Sequence, residues 1–575
     1  MDFPTLLNVL WPELLLVAAA CVLFLFGILN SASSRRTVPL IALAVLVALF
    51  VAPLIQSRLA INADKGSPDA DLQAARRIAH VDRDGQHSLA VGSMANYVKL
   101  ITAGMGILFV LLAWPSNRDA TGNVAIDYGF ETGEFFGLML MALAGVFLVA
   151  SANDTMLLFL GIELASLPTY IMVSMSRPLP MAQEAGVKYF FLGAMSAAIM
   201  LFGFSYLYGT TGTTRLDTIA DYLHGRGSAG PNTWQIFAVV MVLAGLAFKI
   251  AAVPLHAYAG DVYQGAATPV TALLAYVPKT SGFIAIIKIL AAVGGQQWVV
   301  PDVVFKLLWV IAVLTMTFGN ALGLLQFNIK RVLAYSSVAH SGYMLVGLTA
   351  LVAARAGDGA AHPAVVQTQA LGGVLFYLAA YGIMNTGAFG VLMLLPGRTD
   401  SQGRHGPNGE PLPTATSAET FEDLAGAGRR HPSLGLAMSI CCFSLTGLPL
   451  TIGFFGKVLL VAPVVGAMSN PTYRTMMVWL VVIMMLNAAV SAAYYLRIVA
   501  ALFLRTESTD ATFAGSTDQA HQEFGSLPIT VAVVLSVVGT LFYGIHFPAT
   551  DRLTQRAQNA ARVPNDGPTM ITASK

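Results

Sequence analysis

The chain has 575 residues, of which 56% are hydrophobic and only 11% are charged, and its formal net charge is +2. An ordinary soluble domain has about 25% charged residues, so this composition excludes a soluble globular protein, and the balanced charge gives no basis for binding a nucleic-acid backbone. Apolar runs of about 20 residues, long enough to cross a hydrocarbon core of about 30 Å, recur along the chain and predict an all-α, polytopic membrane protein.

About fourteen transmembrane helices are predicted from apolar runs bounded by polar residues, glycine or proline. In chain order they lie near residues 11–30, 37–55, 95–114, 133–152, 154–174, 184–208, 234–263, 269–292, 303–326, 332–352, 371–395, 434–466, 474–503 and 527–547. Three polar stretches interrupt the pattern, at 56–94, at 396–432 and from 548 onwards. The first and last are rich in small, charged and amide residues, which predicts flexible or weakly helical surface segments.

The spans divide the chain into four regions. Residues 1–130 hold the first three helices with the polar insertion, and residues 131–292 hold helices 4–8. Residues 303–466 hold helices 9–12, continuing into helix 13, and residues 467–575 hold the last two helices with the polar tail. The two middle regions are predicted to be two copies of a five-helix unit.

A weak internal repeat supports the two copies. GVKYFFLGAMSAAIMLFG from Gly186 aligns without gaps with GVLFYLAAYGIMNTGAFG from Gly373, and each is followed by a helix interrupted at Pro254 or Pro449. Two copies of a five-helix unit have opposite orientations in the membrane, so we expect an inverted repeat. Proline within a helix frees carbonyl groups, and paired interrupted helices in two halves of a transporter point to its ion site.

Basic residues in short loops predict the orientation. With the N-terminus outside, the cytoplasmic loops hold eleven basic residues: Arg35, Arg36, Arg118, Arg177, Lys330, Arg331, Arg398, Arg404, Arg429, Arg430 and Arg505. The short outer loops then hold four: Arg215, Arg226, Arg355 and Arg474. This bias favours both termini outside in a bacterial inner membrane. The N-terminus lacks a basic n-region, so it is interpreted as a first membrane helix.

The cysteines predict no redox or metal site. Cys21, Cys441 and Cys442 lie in apolar stretches, and no pair has CxxC spacing. The sequence also has no glycine-rich dinucleotide fingerprint after a strand. We therefore expect this chain to hold no flavin, nicotinamide, cluster or metal.

Lysine and arginine are segregated along the chain. Nearly all arginines fall in loops or at helix ends, whereas Lys188, Lys249, Lys279 and Lys457 fall well inside predicted spans, and Lys288 lies nearer a helix end from which it could reach the interface. A charge at the bilayer centre costs at least about 2.5–3.5 kcal/mol on insertion scales. Burial favours the neutral form of lysine, so a buried lysine can release and regain a proton, whereas arginine stays charged. The pattern indicates proton transfer.

Glu163, in LFLGIELASLP, is predicted to be the one acid buried in mid-helix. Its expected partner is Lys249, which comes just before the break at Pro254. A pair that holds Lys249 protonated and releases its proton when weakened would act as a switch. The alternative is a static buried ion pair that fixes helix packing.

Two histidines fit as relay groups, because imidazole titrates near neutrality. His256 follows the break at Pro254, and His340 lies in RVLAYSSVAHSGYM. For each, a packed, hydrogen-bonding side chain is the alternative. Four hydroxyl side chains near His340 could order water beside it or could form ordinary interhelical hydrogen bonds: Ser336, Ser337, Ser341 and Tyr343.

Together these residues resemble the antiporter-like membrane subunits of respiratory complex I, the proton-pumping NADH–quinone oxidoreductase, and among them subunit N. The resemblance covers most of residues 130–505 and, more weakly, the N-terminal WPELLLV. It is carried by the motifs LLFLGIELASLPTYIMV, AGVKYFFLGAMSAA, FKIAAVPLHAYAGDVYQGAATPVTALLAYVPKTSGF, NIKRVLAYSSVAHSGYM and LTGLPLTIGFFGK. Lys457 stands where subunit M has a glutamate, and the insertion at 56–94 departs from the family pattern.

The resemblance implies roles for the site residues. It places Glu163 as the fifth-helix glutamate, and it places the sixth-, seventh-, eighth- and twelfth-helix lysines at Lys188, Lys249, Lys279 and Lys457. It implies that these groups form connected half-channels, driven by redox energy from a hydrophilic arm. The NAD, FMN, Fe–S clusters and quinone are then expected elsewhere in the complex, and the partners are the neighbouring membrane-arm subunits and the lipid bilayer.

Two other functions compete with this interpretation. A subunit of an Mrp-type cation/proton antiporter would share the same helices and lysines. A membrane scaffold with inert buried charges would need no proton transfer at all. Replacing Lys279 with methionine separates the scaffold from the other two, because only a channel loses proton transport.

Overall fold

Regular structure follows the predicted spans closely in a computed structural model of the chain. The described residues are 3–28, 32–63, 92–115, 131–175, 180–224, 231–355, 362–395, 418–505 and 527–561. Within them the regular elements are helices: α1 Phe3–Ile28, α2 Ala32–Ala63, α3 Ser93–Leu112, α4 Thr132–Ser151, α5 Thr155–Met175, α6 Pro180–Thr211, α7 Leu216–His224, α8 Thr233–Lys249, α9 Ala259–Gly265, α10 Thr268–Gly294, α11 Asp302–Leu324, α12 Ile329–Ala353, α13 Pro363–Leu394, α14 Ala427–Arg430, α15 Pro432–Thr446, α16 Ile452–Ala467, α17 Arg474–Phe503, α18 Leu527–Ile545 and α19 Phe547–Ala561.

Twelve of these helices are long and apolar enough to cross a membrane. The two remaining predicted spans are the broken helices, α8 with α9 and α15 with α16, so the fourteen predicted spans are all present in the described parts of the chain. The polytopic all-α fold is thereby confirmed. The division at residues 130, 292 and 466 and the inverted relation of the two middle regions stay predictions.

Both predicted helix breaks are present. The first separates Lys249 from Ala259, and the hydroxyl of Tyr258 donates to the freed carbonyl of Phe248 at 2.9 Å. The second follows Thr446, where Gly447 has a φ of +89° that disfavours other residues. Each break therefore exposes helix-end carbonyls inside the bundle, where side chains must satisfy them.

The most buried helices lie at the centre of the bundle. The most apolar 18 residues of α10 and of α12 are completely buried, and those of α13 nearly so, whereas α1, α2 and α17 are largely exposed there. In a bilayer the exposed leucines and valines of the outer helices face lipid tails, which are as apolar as they are. Ionisable groups on α10 and α12 are consequently shielded from both lipid and water.

The described part of the polar tail, up to Ala561, is a regular helix and not the flexible or weakly helical segment that its composition predicts, and residues 562–575 lie outside the described residues. Residues Phe547–Ala561 form the regular helix α19, on which Ala557, Ala560 and Ala561 are buried. The hydroxyl of Ser93 on α3 donates to Asn559 at 3.2 Å. Small residues allow this helix to approach the bundle closely, so packing against neighbours overrides its polar composition.

Parts of the other polar stretches lie outside the described residues. Of the insertion at 56–94, the structure describes the end of α2, and Gly92 with the start of α3. Residues 396–417 are likewise outside, as are five of the loop arginines used for orientation: Arg118, Arg177, Arg226, Arg398 and Arg404. The predicted orientation stays a prediction.

Glycine allows α4 and α5 to cross at close range. A Cβ on Gly145 would overlap the backbone nitrogen of Ala165 and would lie 2.7 Å from its Cα. Replacing Gly145 with alanine is expected to destabilise the chain by about 1–3 kcal/mol, because the two backbones must separate. The measurement is the temperature at which half of the detergent-purified chain is lost from the monodisperse peak in size-exclusion chromatography.

Gly209 on α6 provides the matched control. A Cβ there meets no atom within 4 Å, so Gly209→Ala should leave the midpoint unchanged or raise it slightly through helix propensity. Equal midpoints for the two variants would contradict the close α4–α5 contact.

Candidate functional site

Glu163 and Lys249 form a buried ion pair between α5 and α8. The Lys249 Nζ lies 2.9 Å from Glu163 Oε1, and it also donates to Ser166 Oγ at 3.0 Å and to Tyr170 Oη at 3.2 Å. The three acceptors follow one another on α5 at i, i+3 and i+7, which is one helix face. The pairing predicted from the sequence is present, and it leaves the ammonium with three oxygen partners.

The two members of this pair are not equally shielded. The Lys249 side chain is 1% exposed, whereas that of Glu163 is 15% exposed. A buried ammonium depends strongly on its carboxylate, because desolvation penalises an unpaired charge. Any change that weakens the Glu163 charge therefore acts directly on the proton of Lys249.

Lys279 lies on α10, against the same region of α8. A Cβ on Gly282, three residues after Lys279, would lie 3.2 Å from Lys249 Cβ and 2.7 Å from a methyl carbon of Ile250. This close contact brings the Lys249 and Lys279 segments together without placing their ammonium groups in a common ion pair.

The surroundings of Lys279 are neutral. Its buried Nζ donates to the carbonyl of Ser337 and lies 5.3 Å from the ring centroid of Tyr381. Among the described residues no carboxylate lies within ion-pair distance of it. A carbonyl and an aromatic face stabilise an ammonium less than a carboxylate does, so Lys279 is better placed than Lys249 to give up its proton.

His340 on α12 has a hydroxyl at each ring nitrogen. Nδ1 lies 2.7 Å from the Tyr377 hydroxyl, and Nε2 lies 3.1 Å from the Tyr495 hydroxyl, which is hydrogen-bonded in turn to Ser336. Hydroxyls both donate and accept, so either imidazole tautomer fits the two contacts. The ring can therefore take a proton from one side and give one up on the other.

Lys457 on α16 occupies the second helix break. Its Nζ donates to the carbonyl of Thr446 at 2.7 Å, the last residue of α15, and lies 5.0 Å from the Tyr343 ring. The negative end of α15 thereby interacts favourably with the ammonium. Like Lys279, it has no carboxylate within ion-pair distance among the described residues.

Aromatic rings connect these groups into a central row, defined here as Lys279, Tyr381, His340, Tyr343 and Lys457. The His340 ring lies 5.2 Å from the Tyr381 ring and 5.5 Å from the Tyr343 ring, measured between centroids. Tyr381 also faces Lys279, and Tyr343 faces Lys457. The central row thus runs from α10 through α12 and α13 to α16, and all five side chains are buried.

Three of the four predicted hydroxyl side chains near His340 make interhelical contacts, whereas Ser341 donates to the carbonyl of Ser337 in its own helix at 3.3 Å. Ser336 bonds to Tyr495, Ser337 to Tyr263 at 3.2 Å, and Tyr343 accepts from Asn320 at 3.1 Å. These are the ordinary hydrogen bonds that the alternative interpretation describes. Only Ser336, through Tyr495, is connected to the imidazole.

Lys188 does not lie in the buried interior, contrary to the prediction. Its side chain is 43% exposed, and its Nζ lies 2.7 Å from Glu184 and 2.9 Å from Asp261. Helix α6 begins at Pro180, so Lys188 is only eight residues from its start, on a face shared with the exposed Phe191. Two carboxylates near a helix end explain how its charge is tolerated.

His256 lies in the first break but apart from the central row. It is half-buried beside Phe318 of α11, at 6.5 Å between ring centroids, and its Nδ1 has no hydrogen-bond partner among the described residues. The contacts described for His256 do not link it to Lys249 or to Lys279, so its role as a proton relay stays a prediction.

Two further lysines bind helix ends, Lys288 partly buried and Lys330 fully buried. Lys288, which was expected to reach the interface, instead donates to Ala152 at the end of α4 at 2.5 Å. Lys330, which was assigned to a loop, is fully buried and donates to Ala266 at the end of α9 at 2.6 Å. In both cases the partial negative charge of a helix C-terminus attracts the ammonium.

The prediction that Glu163 is the one acid buried in mid-helix is wrong, because Glu163 is only partly buried and another mid-helix acid is buried more completely. Glu13 on α1 is 6% exposed and lies 2.7 Å from Lys99 on α3. Both residues stand inside predicted apolar spans, so the cost of burying a charge could have found them. Tyr377, Tyr381 and Tyr495 were not predicted, because tyrosine is common in apolar helices. The spacing of Tyr377 and Tyr381 at i and i+4 places them on one helix face and could have indicated a shared role.

No three histidine, cysteine, aspartate or glutamate side chains of the described ranges are grouped as they would be around a metal ion.

Comparison with known proteins places this geometry in a family. A family model described as NADH:quinone oxidoreductase/Mrp antiporter, TM, matches residues 152–487. NADH-quinone oxidoreductase subunit N of Trichlorobacter lovleyi is 37% identical over 431 residues, which are 75% of this chain and 77% of the relative. Subunit N of Rhodospirillum rubrum is 33% identical over 556 residues, 96% of each chain.

Two solved structures are similar over nearly the whole chain. A chain of respiratory complex I from Thermus thermophilus with bound aureothin has 27% identity and a TM-score of 0.66, and the match covers 94% of this chain and 97% of that one. A chain of the Mrp complex from Dietzia sp. DQ12-45-1b has 18% identity and a TM-score of 0.68, covering 96% and 97%. The second likeness concerns the fold alone.

Proposed function

We propose that this chain, which belongs to the NADH:quinone oxidoreductase/Mrp antiporter family of membrane subunits, is a membrane-arm subunit of a proton-pumping NADH–quinone oxidoreductase. It conducts protons through the Glu163–Lys249 pair and the central row, and this conduction is coupled to quinone reduction elsewhere in the complex. The relatives of 33–38% identity that are named NADH-quinone oxidoreductase subunit N support this assignment.

The observation that carries the proton path is the contrast between Lys249 and the other two lysines. Lys249 is held by a carboxylate, whereas Lys279 and Lys457 are held by carbonyls and aromatic rings. A proton donor needs an ammonium that its surroundings stabilise only moderately, and a lysine meets this need where an arginine does not. The three lysines thus differ in how readily each releases its proton.

The central row places His340 between Lys279 and Lys457. A proton leaving Lys279 enters the hydroxyl and imidazole groups around His340, whose two nitrogens contact Tyr377 and Tyr495. Release of a second proton from the opposite nitrogen restores the neutral ring. The proton then reaches Lys457 on α16.

The Glu163–Lys249 pair controls entry to this route. While Glu163 is charged and close, Lys249 keeps its proton. When the carboxylate moves or is neutralised, the buried ammonium loses its partner and transfers its proton towards Lys279. Opposite charges 2.9 Å apart in a poorly polarisable interior make this a strong interaction, so a small displacement has a large effect.

Redox chemistry belongs to other subunits in this proposal. NAD, FMN, Fe–S clusters and quinone bind elsewhere in the complex, and this chain contributes ionisable side chains only. Its partners are the neighbouring antiporter-like and small membrane subunits, in the inner membrane of a bacterium. His256 and Lys188 lie outside the direct path, His256 beside α11 and Lys188 near the start of α6.

The alternative is a subunit of an Mrp-type cation/proton antiporter. The likeness to the Dietzia Mrp complex makes this fold compatible with that function. Such a complex contains no redox arm, which gives a direct way to separate the two.

Purification of the affinity-tagged chain from its host in mild detergent tests the assignment. We expect flavin- and Fe–S-bearing subunits to co-purify, with NADH-dependent quinone reduction in the eluate. An untagged host strain carried through the same purification controls for unspecific recovery. Recovery of small membrane subunits alone, without flavin or iron, would overturn the assignment in favour of the antiporter.

A further inference from the structure

We propose that Glu13, Lys99 and Lys288 form a second proton-carrying site, which rests on the proposed function and lies outside the central row. Together with Ser151 they are called here the N-terminal cluster. It joins helices α1, α3, α4 and α10, and so connects the first three helices to the rest of the bundle. Its ligand is the proton.

A buried carboxylate stands at the centre of the N-terminal cluster. Glu13 Oε1 lies 2.7 Å from Lys99 Nζ and accepts from Ser151 Oγ at 2.9 Å. Both ionisable side chains are less than 10% exposed. The second oxygen, Oε2, is buried and has no hydrogen-bond partner among the described residues. A charged oxygen left without a donor is costly, and such atoms call for an explanation.

Lys288 adds a third ionisable group next to this carboxylate. Its Nζ donates to the carbonyl of Ala152, the residue after Ser151, so the two contacts lie on consecutive residues at the end of α4. No carboxylate of the described residues lies within ion-pair distance of Lys288. The ammonium of Lys288 therefore lies beside the Glu13–Lys99 pair without a carboxylate of its own, and release of its proton removes an unpaired charge from this partly buried place.

The arrangement has the same chemical parts as the main site. There, Glu163 pairs with Lys249, while Lys279 on α10 is held by a carbonyl. Here Glu13 pairs with Lys99, while Lys288 on the same helix α10 is held by a carbonyl. The two α10 lysines are nine residues apart, about 13.5 Å along the axis, and project from opposite sides of the helix.

Helix α10 consequently carries ionisable groups on both of its faces. Lys279 faces α12 and α13, through Ser337 and Tyr381. Lys288 faces α4, near α1 and α3. The N-terminal cluster is thus a lateral branch that exchanges protons between the central helices and the end of the bundle at which α4 and α10 terminate.

A purely structural role would need different chemical properties from the same residues. If Lys288 only caps α4 and the Glu13–Lys99 pair only fixes helix packing, then a permanent positive charge and a donor suffice. Arginine supplies both but cannot release its proton. Lys288→Arg therefore separates the two roles, and Glu13→Gln removes the carboxylate while it keeps an acceptor for Ser151.

The test uses the assembled complex in proteoliposomes, with protons translocated per NADH oxidised as the readout. Lys288→Arg, Lys288→Met and Glu13→Gln are compared with Lys279→Met as the reference, and with Lys306→Met at an exposed position of α11 as the matched control. We expect all three variants to remove at least about half of the translocation that Lys279→Met removes, since loss of one proton-transfer group interrupts a relay. The amount of assembled complex recovered should change little.

Each other outcome overturns the proposal. If the Lys288→Arg complex translocates protons as the wild type does, the N-terminal cluster is structural. If the Lys288 variants do not assemble, wild-type translocation by Glu13→Gln leads to the same conclusion. If Lys279→Met abolishes translocation while the N-terminal variants keep it, the proposed function stands and this inference fails. If Lys279→Met translocates protons as the wild type does, both the proposed function and this inference are refuted.

Discussion

Replacing Lys279 with methionine is expected to abolish proton translocation through this chain. Methionine keeps the length and apolar contacts of the lysine stem but carries no exchangeable proton. The carbonyl of Ser337 and the face of Tyr381, which now hold the ammonium, then have no partner that carries a proton to His340. Removing a proton-transfer group typically lowers a rate by about 10²–10⁴-fold, so the share of translocation due to this chain should be lost.

The measurement is proton uptake into proteoliposomes that contain the assembled complex, normalised to NADH oxidation. Lys279→Arg provides the informative second variant, because a fixed charge should fail as completely as methionine. Lys306→Met is the control, since Lys306 is exposed on α11 and makes no contact with the central row. Full translocation by Lys279→Met would identify the buried lysine as inert and would favour a scaffold.

Most of the fold follows from sequence because a bilayer allows few solutions. Backbone polar groups in a lipid core must be satisfied within the helix, so every apolar run of about 20 residues predicts one helix. The breaks at Pro254 and Pro449 follow from the missing N–H of proline. Composition failed at Phe547–Ala561, because close packing of small residues against α13 and α3 forms a helix there that average polarity does not predict.

The charged residues of the site could be predicted, because burying a charge is costly. The neutral side chains that complete the site could not. The cost of an unpaired charge predicts that Glu163 and Lys249 meet, and they do. The same argument gave the wrong position for Lys188. Position in the sequence does not show which face of α6 is outward, nor that Asp261 lies close to the Lys188 ammonium. The rings of Tyr381 and Tyr343 carry no such cost, so Tyr381 was not predicted, and Tyr343 was predicted only as a hydroxyl near His340 and not as a ring that faces Lys457.

Glu13 and Lys99 show a further limit of the same argument. Each lies in an apolar run, and burial of either alone would be unfavourable. Their 86-residue separation contains the polar insertion, whose length hides the fact that α1 and α3 meet. Long-range pairing of charges is decided by helix packing, and packing is what the sequence pattern specifies least.

Replacing Glu163 with glutamine is expected to stop proton translocation and to destabilise the chain at the same time. The amide still accepts a hydrogen bond from Lys249, but the negative charge 2.9 Å from its Nζ is gone. Breaking a buried pair by removing one partner typically costs about 3–5 kcal/mol, because an uncompensated charge remains. Lys249 avoids part of this cost by losing its proton, and a neutral Lys249 has none to pass to Lys279.

The double variant Glu163→Gln with Lys249→Met distinguishes the two effects. With both charges removed, no uncompensated ion stays buried, so the double variant should be more stable than either single one. Thermal midpoints of the purified complex measure this coupling, and Glu134→Gln, an exposed glutamate at the start of α4, is the matched control. Translocation should stay absent in the double variant although its stability returns. Recovery of translocation together with stability would mean that Glu163 and Lys249 only hold α5 and α8 together, since a static pair can be replaced by neutral side chains whereas a proton switch cannot.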